Sequence, residues 1–162
     1  MAPHSPEPIP PAEVRRRRGR VLRLARAVGF VGLVEYRHVY SSTGGAQYGR
    51  GAGEAADLLT VYAEAFDRDA DPADFSLRVI VAHERGHQLL ARHPRVSVQA
   101  AGVSLAAEEV MASVLGALIV GPGPDRDVLL AKATAEVLVG ATRAEDAVRI
   151  IENLWDSLGG LL

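Results

Sequence analysis

Two histidines four residues apart inside an apolar run, with a glutamate directly after the first, leave this chain few ways to fold. The stretch is Val79-Ile-Val-Ala-His-Glu-Arg-Gly-His-Gln-Leu-Leu90. On an α-helix, residues four apart differ by about 40° around the axis, so His83 and His87 project from one face and can grip one ion. Glu84 stands about 100° from His83, close enough to reach a water held by that ion. Two neutral imidazoles and a neighbouring glutamate are the His-Glu-x-x-His arrangement. In it the imidazoles hold zinc, a coordinated water becomes acidic near pH ~7, and the glutamate takes its proton. The alternative is a helix whose histidines make ordinary hydrogen bonds, but polar rings among Val, Ile, Ala and Leu would then each need a partner in the core.

The flanks agree with a helix. Asp71 is suited to cap it, Pro72 to its first position and Asp74 to the positive end of its dipole, while Pro94 stops it. Elsewhere along the chain, residues 1–11 hold five prolines and read as a flexible tail. A first helix is predicted over 12–28, burying Val14, Val21, Leu22, Ala25 and Val28 and ending at Gly29. Residues 30–40 and 46–50 flank the turn signal Ser-Ser-Thr-Gly-Gly and suggest a hairpin. Alternation over 58–66 suggests a third strand with two unlike faces. After the histidine helix, Ser104 can cap a helix running to Val120, and Gly-Pro-Gly-Pro at 121–124 breaks it. Two further helices are predicted at 125–138 and 143–158, the second opened by the capping-box pattern Thr142-x-x-Glu145.

The expectation is a single α+β domain over 12–162: an N-terminal helix, a small three-stranded sheet, the histidine helix, a glutamate-bearing helix and two C-terminal helices. The chain has no cysteine, which removes disulfides, thiolate metal sites and cysteine nucleophiles and points to a cytoplasmic setting. Its most apolar window, 103–120, carries Glu108 and Glu109 and reads as a buried helix, so no membrane segment is expected. Net charge is −2, with residues 1–50 at +6 and the remainder at −8. The excess comes mainly from 15–26, which could face a polyanion but is favoured as the solvated side of the first helix. Residues 143–158 carry two arginines against four acids, a poor match to phosphate, so a nucleic-acid partner is not expected.

A catalytic zinc site needs a third protein ligand. His93 has the spacing of a third histidine, yet Leu90 occupies the position where a glycine would turn the chain back. On a continuing helix His93 points about 240° away from His87. Glu108 and Glu109 on the following helix remain. Glu109 is preferred, because Ala112, Ser113 and Gly116 follow it on a stripe of small residues that would let the two helices approach closely.

The segment from Glu109 to Pro122 resembles the stretch that follows His-Glu-x-x-His in the ImmA/IrrE metallopeptidases, a gluzincin-like group; glutamate, alanine, one leucine and the closing proline fall in register. Size and element order are also similar to minigluzincins. Ser113 departs from the asparagine or aspartate usual in that pattern, and Arg85 from a leucine or isoleucine. The resemblance implies a zincin-like fold and a Zn2+-dependent endopeptidase in which His83, His87 and Glu109 hold the ion and Glu84 is the general base. It also implies a protein or peptide substrate, such as a regulator, lying extended along an exposed strand edge, for which the strand in 57–66 is the candidate. Tyr40, Tyr48, Tyr62 and His38 are the available second electrophiles. The competing expectation is a non-catalytic, zinc-stabilised regulatory or interaction domain.

Overall fold

The computed structural model describes residues 5–41, 44–70, 75–92 and 105–140. Among them the fold is α+β, with five helices and one three-stranded mixed sheet. Helix α1 spans Pro11–Ala27, with proline at the first turn where its missing N–H costs nothing. Most of its inward stripe is the expected one: Val21 and Ala25 are fully buried, Val28 nearly so, and Val14 packs against the same core, but Leu24 joins them there in place of the expected Leu22. The basic run does not lie wholly in solvent. Arg17 donates to the Tyr36 hydroxyl at 3.1 Å and covers the Phe66 ring at 4.8 Å, and Arg20 pairs with Asp69 at 2.7 Å.

The sheet differs from the expected hairpin. Strands β1 (Leu33–Arg37) and β2 (Ala46–Gly49) do not pair; β3 (Leu58–Tyr62) lies between them, parallel to β1 and antiparallel to β2. Burial explains the order. Leu59, Thr60 and Val61 are all buried, so β3 is covered on both faces and takes the centre, while β1 and β2 each keep exposed positions suited to edges. The third strand is also shorter than its alternation suggests. It ends at Tyr62 and passes straight into helix α2 (Ala63–Asp69), whose Ala-Glu-Ala-Phe-Asp-Arg-Asp contains no β-branched residue. Ala63 and Ala65 are fully buried in both readings, which is why alternation alone misled. Gly45, at φ +101°, lets the chain entering β2 pass against Ala65, where a Cβ would stand 3.3 Å from that residue's backbone.

Helix α3 is Leu77–Arg92. It starts later than the Asp71–Pro72 signal implies, and residues 71–74 lie outside the described residues, as do His93 and Pro94. Ser76 caps it instead: its Oγ accepts the Val79 N–H at 3.2 Å, and Asp69 accepts the Leu77 N–H at 2.9 Å. Helix α4 (Leu105–Val120) and helix α5 (Pro124–Gly140) are joined through Gly121 and Gly123, both at positive φ. The expected cap Ser104 and the helix at 143–158 fall outside the described residues.

The α3–α4 packing fixes the site. A Cβ on Gly86 would sit 2.2 Å from the carbonyl oxygen of Ala112, and one on Gly116 would meet the Ala82 carbonyl at 3.0 Å. The two helices therefore meet backbone to backbone at two points, and the small stripe of α4 does what its composition suggested. Among the described residues no helix is long and apolar enough to cross a membrane.

Candidate metal centre

Close approach of α3 and α4 brings two imidazoles and a carboxylate together. His83 Nε2 lies 3.1 Å from Glu109 Oε2, His87 Nε2 lies 3.2 Å from Glu109 Oε1, and the two Nε2 atoms are 3.2 Å apart. His83, His87 and Glu109 are a group that could hold a metal ion, each offering one ligand atom.

The outer nitrogens decide which lone pairs face inward. His87 faces a carboxylate with each ring nitrogen, Nδ1 at 3.2 Å from Glu108 Oε1 and Nε2 at 3.2 Å from Glu109 Oε1; a neutral ring donates from only one of them, and a proton on Nδ1 would leave Nε2 free for a metal. Ser113, fully buried, places its Oγ 3.0 Å from His83 Nδ1 and can accept that proton in the same way. In that tautomer two free nitrogens and a carboxylate would converge with their negative ends together. Such a group needs a cation, whether a proton or a metal. Tetrahedral ligands about 2.0–2.1 Å from zinc stand about 3.3 Å from one another, close to the separations here. The donor set, nitrogen and oxygen without sulfur, suits a borderline divalent ion equally well.

The electrostatics carry the same strain. The imidazoles of His83 and His87 hold the Glu109 carboxyl far below the ordinary carboxylate range, against the opposing effect of burial. Burial pushes His87 down, but its bond to Glu109 and the charges of Glu84, Glu109 and Glu108 outweigh it and raise the pKa. A further cation stands at the rim: Lys132 of α5 donates to Glu109 Oε2 at 3.1 Å.

The general-base candidate Glu84 is anchored to the sheet, its Oε2 accepting the Tyr48 N–H at 2.8 Å. β2 is thus the sheet edge beside the site. A recess of about 410 Å³ there is lined by Ala46, Gln47, Tyr48, Glu84, His87, Glu108 and Glu109. This corrects the expectation for 57–66: β3 is hydrogen-bonded on both sides and has no free edge to offer. A smaller recess of about 180 Å³ opens on the other side of Glu84 and Glu109, toward Lys132.

Each of the four candidate electrophiles has its polar group bonded to other residues. Tyr40 donates to Asp67, Tyr48 to Asp57, and Tyr62 faces Gln47 at 3.5 Å. His38 is held between Tyr36 and the Glu7 carbonyl. Sequence reasoning missed Lys132, although it is the chain's single lysine among eighteen basic residues. It also missed a second polar cluster on the opposite flank of α3. There Asp57 accepts five hydrogen bonds: two from Arg92, and one each from Gln88, the Gly51 N–H and the Tyr48 hydroxyl. Arg85, out of pattern beside the histidines, donates to Gln88 in that cluster at 2.6 Å.

No family model, curated protein or solved structure matches the chain.

Proposed function

We propose that this chain is a zinc-dependent endopeptidase of the gluzincin type, with a zincin-like fold similar to the ImmA/IrrE metallopeptidases, cleaving a protein substrate in the cytoplasm. The carrying observation is the convergence of His83 Nε2, His87 Nε2 and Glu109 at 3.1–3.2 Å, with Ser113 and Glu108 beside the outer nitrogens, where they can accept the Nδ1 protons. His83, His87 and Glu109 would hold the ion. When bound, zinc supplies Lewis acidity, polarising a peptide carbonyl and lowering the pKa of water.

The rest of the chemistry falls to the chain's own residues. Glu84 takes a proton from the attacking water and returns it to the leaving amine, so one carboxylate serves first as base and then as acid. Its anchor, the Tyr48 N–H, holds it beside the ligands at the sheet edge. Ser113 and Glu108 keep the imidazoles in the tautomer that leaves Nε2 free. In an antiparallel strand, alternate residues turn both backbone groups outward, and Tyr48, bonded to Glu84, is one of them. A substrate drawn out beside β2 would pair with the outward groups of Ala46 and the carbonyl of Tyr48, its scissile bond brought next to Glu84.

The test is hydrolysis of a broad peptide pool by zinc-loaded protein, compared with Glu84→Gln and with chelated protein. Turnover lost in both supports the reading. Tight zinc binding with no turnover in any of the three would favour a non-catalytic, zinc-stabilised regulatory domain.

A further inference from the structure

The recess on the Lys132 side has a composition that the hydrolytic chemistry does not require. Phe75, Val79 and Ile80 give it apolar walls, while Arg68 and Lys132 bring two cations to a volume of about 180 Å³. Glu84 and Glu109 line both this recess and the larger one along β2, so it opens directly beside the reacting centre. Arg68 is already engaged, donating to the Gly44 carbonyl at 3.0 Å. Lys132 is placed differently. Among the described residues its hydrogen-bond partner is Glu109, and an ammonium has three donors to give. It is largely buried, its side chain 22% exposed, so its charge acts through protein more than through water.

We infer that this recess is a specificity subsite for a substrate side chain with a short apolar stem and a terminal carboxylate, glutamate in length, whose anionic end is met by Lys132. The inference rests on the proposed peptidase reading for its substrate class. The charge tally gives it a direction. Arg68 and Lys132 match Glu84 and Glu109 in number, so the lining carries no net formal charge. A divalent ion on His83, His87 and Glu109 makes the surroundings net positive and favours an anion. An amide of the same shape fills the same space and forgoes the charge-assisted bond. Lys132 thereby reads one residue adjacent to the cut.

The test uses acetylated, amidated heptapeptides of alanine with a central glutamate or glutamine. Their affinities are measured by calorimetry on the zinc-loaded Glu84→Gln protein, which binds without turning over. The glutamate peptide is expected to bind about tenfold more tightly. Adding Lys132→Gln should bring the ratio close to one, and adding Lys132→Arg should keep most of it, with zinc content unchanged in both. Equal affinity for the two peptides, or a ratio that survives Lys132→Gln, overturns the inference. So does loss of zinc from the Lys132→Gln protein, which would make Lys132 a support for Glu109 alone. The same pair offered to the active protein separates the two readings. Absence of all hydrolysis would sink the peptidase reading while the binding ratio still decided the subsite.

Discussion

The two flanks of helix α3 each carry a buried polar cluster, and the clusters are built on opposite principles. On one flank, Asp57 is only 4% exposed and receives five donors, two of them from the Arg92 guanidinium. Its charge is matched, its lone pairs are filled, and its carboxyl is held well below the ordinary carboxylate range, chiefly by Arg92 and against the effect of burial. On the other flank, the Glu109 carboxylate lies 3.1–3.2 Å from two imidazole nitrogens that can each donate or accept, with Lys132 at the edge. A complete cluster stabilises a fold; an incomplete one is a place for something else to bind.

The contrast can be broken in graded ways. The largest expected effect is on rate: Glu84→Gln should lower peptide turnover about 1000-fold while zinc remains bound, measured by product formation beside metal analysis. Equal zinc and equal turnover would remove Glu84 from the chemistry. Next comes Asp57→Asn, which leaves Arg92 without its counter-charge and turns an acceptor pair into a mixed donor and acceptor. It should cost about 3 kcal/mol in denaturant unfolding yet leave zinc stoichiometry intact. The pH dependence has a definite sign. Because the folded pKa of Asp57 is depressed below its unfolded value of about 3.9, its contribution is fully present above that value and is lost as pH falls toward the folded pKa. Stability of the wild type should therefore fall more steeply below about pH 4 than that of Asp57→Asn.

Gly86→Ala tests the helix contact that joins the two clusters. With a Cβ 2.2 Å from the Ala112 carbonyl, α3 and α4 must move apart, at about 2 kcal/mol and with weakened zinc binding. Unchanged stability and affinity would show that the helices are not locked there. Ser113→Ala should have the smallest effect, lowering zinc affinity about tenfold by freeing the His83 ring, with folding little changed.

Much of this arrangement was legible in the sequence wherever it is local. The stripe of α1, the histidine helix, the breaks at Gly121 and Gly123 and the small residues of α4 each announce themselves within a few turns of chain. Glu109 was favoured over Glu108 on that small-residue stripe, and the structure puts Glu109 between the two Nε2 atoms and Glu108 on the outer nitrogen of His87. The sheet order was not legible, because strand partners are chosen by burial across the whole domain: β3 outcompetes the nearer hairpin pairing by being the most apolar of the three. Nor was the end of β3, since Ala63 and Ala65 fit a strand or a helix equally. Asp57 and Lys132 were missed for a related reason. Nothing beside them in the chain marks them: the Gln88 and Arg92 side chains that meet Asp57 lie 31 and 35 residues away, and the partner of Lys132 lies 23 away.

A metal ion would complete the His83–His87–Glu109 cluster, whereas the Asp57 cluster is complete already. The most direct measurement is zinc stoichiometry and affinity by metal analysis and competition titration for the wild type, Glu109→Ala, Glu108→Ala and Asp57→Asn. One tightly held zinc per chain is expected in the wild type and in Asp57→Asn, about tenfold to 100-fold weaker binding in Glu108→Ala, and none retained in Glu109→Ala. A wild type without stoichiometric zinc, or a Glu109→Ala protein that keeps it, would contradict this.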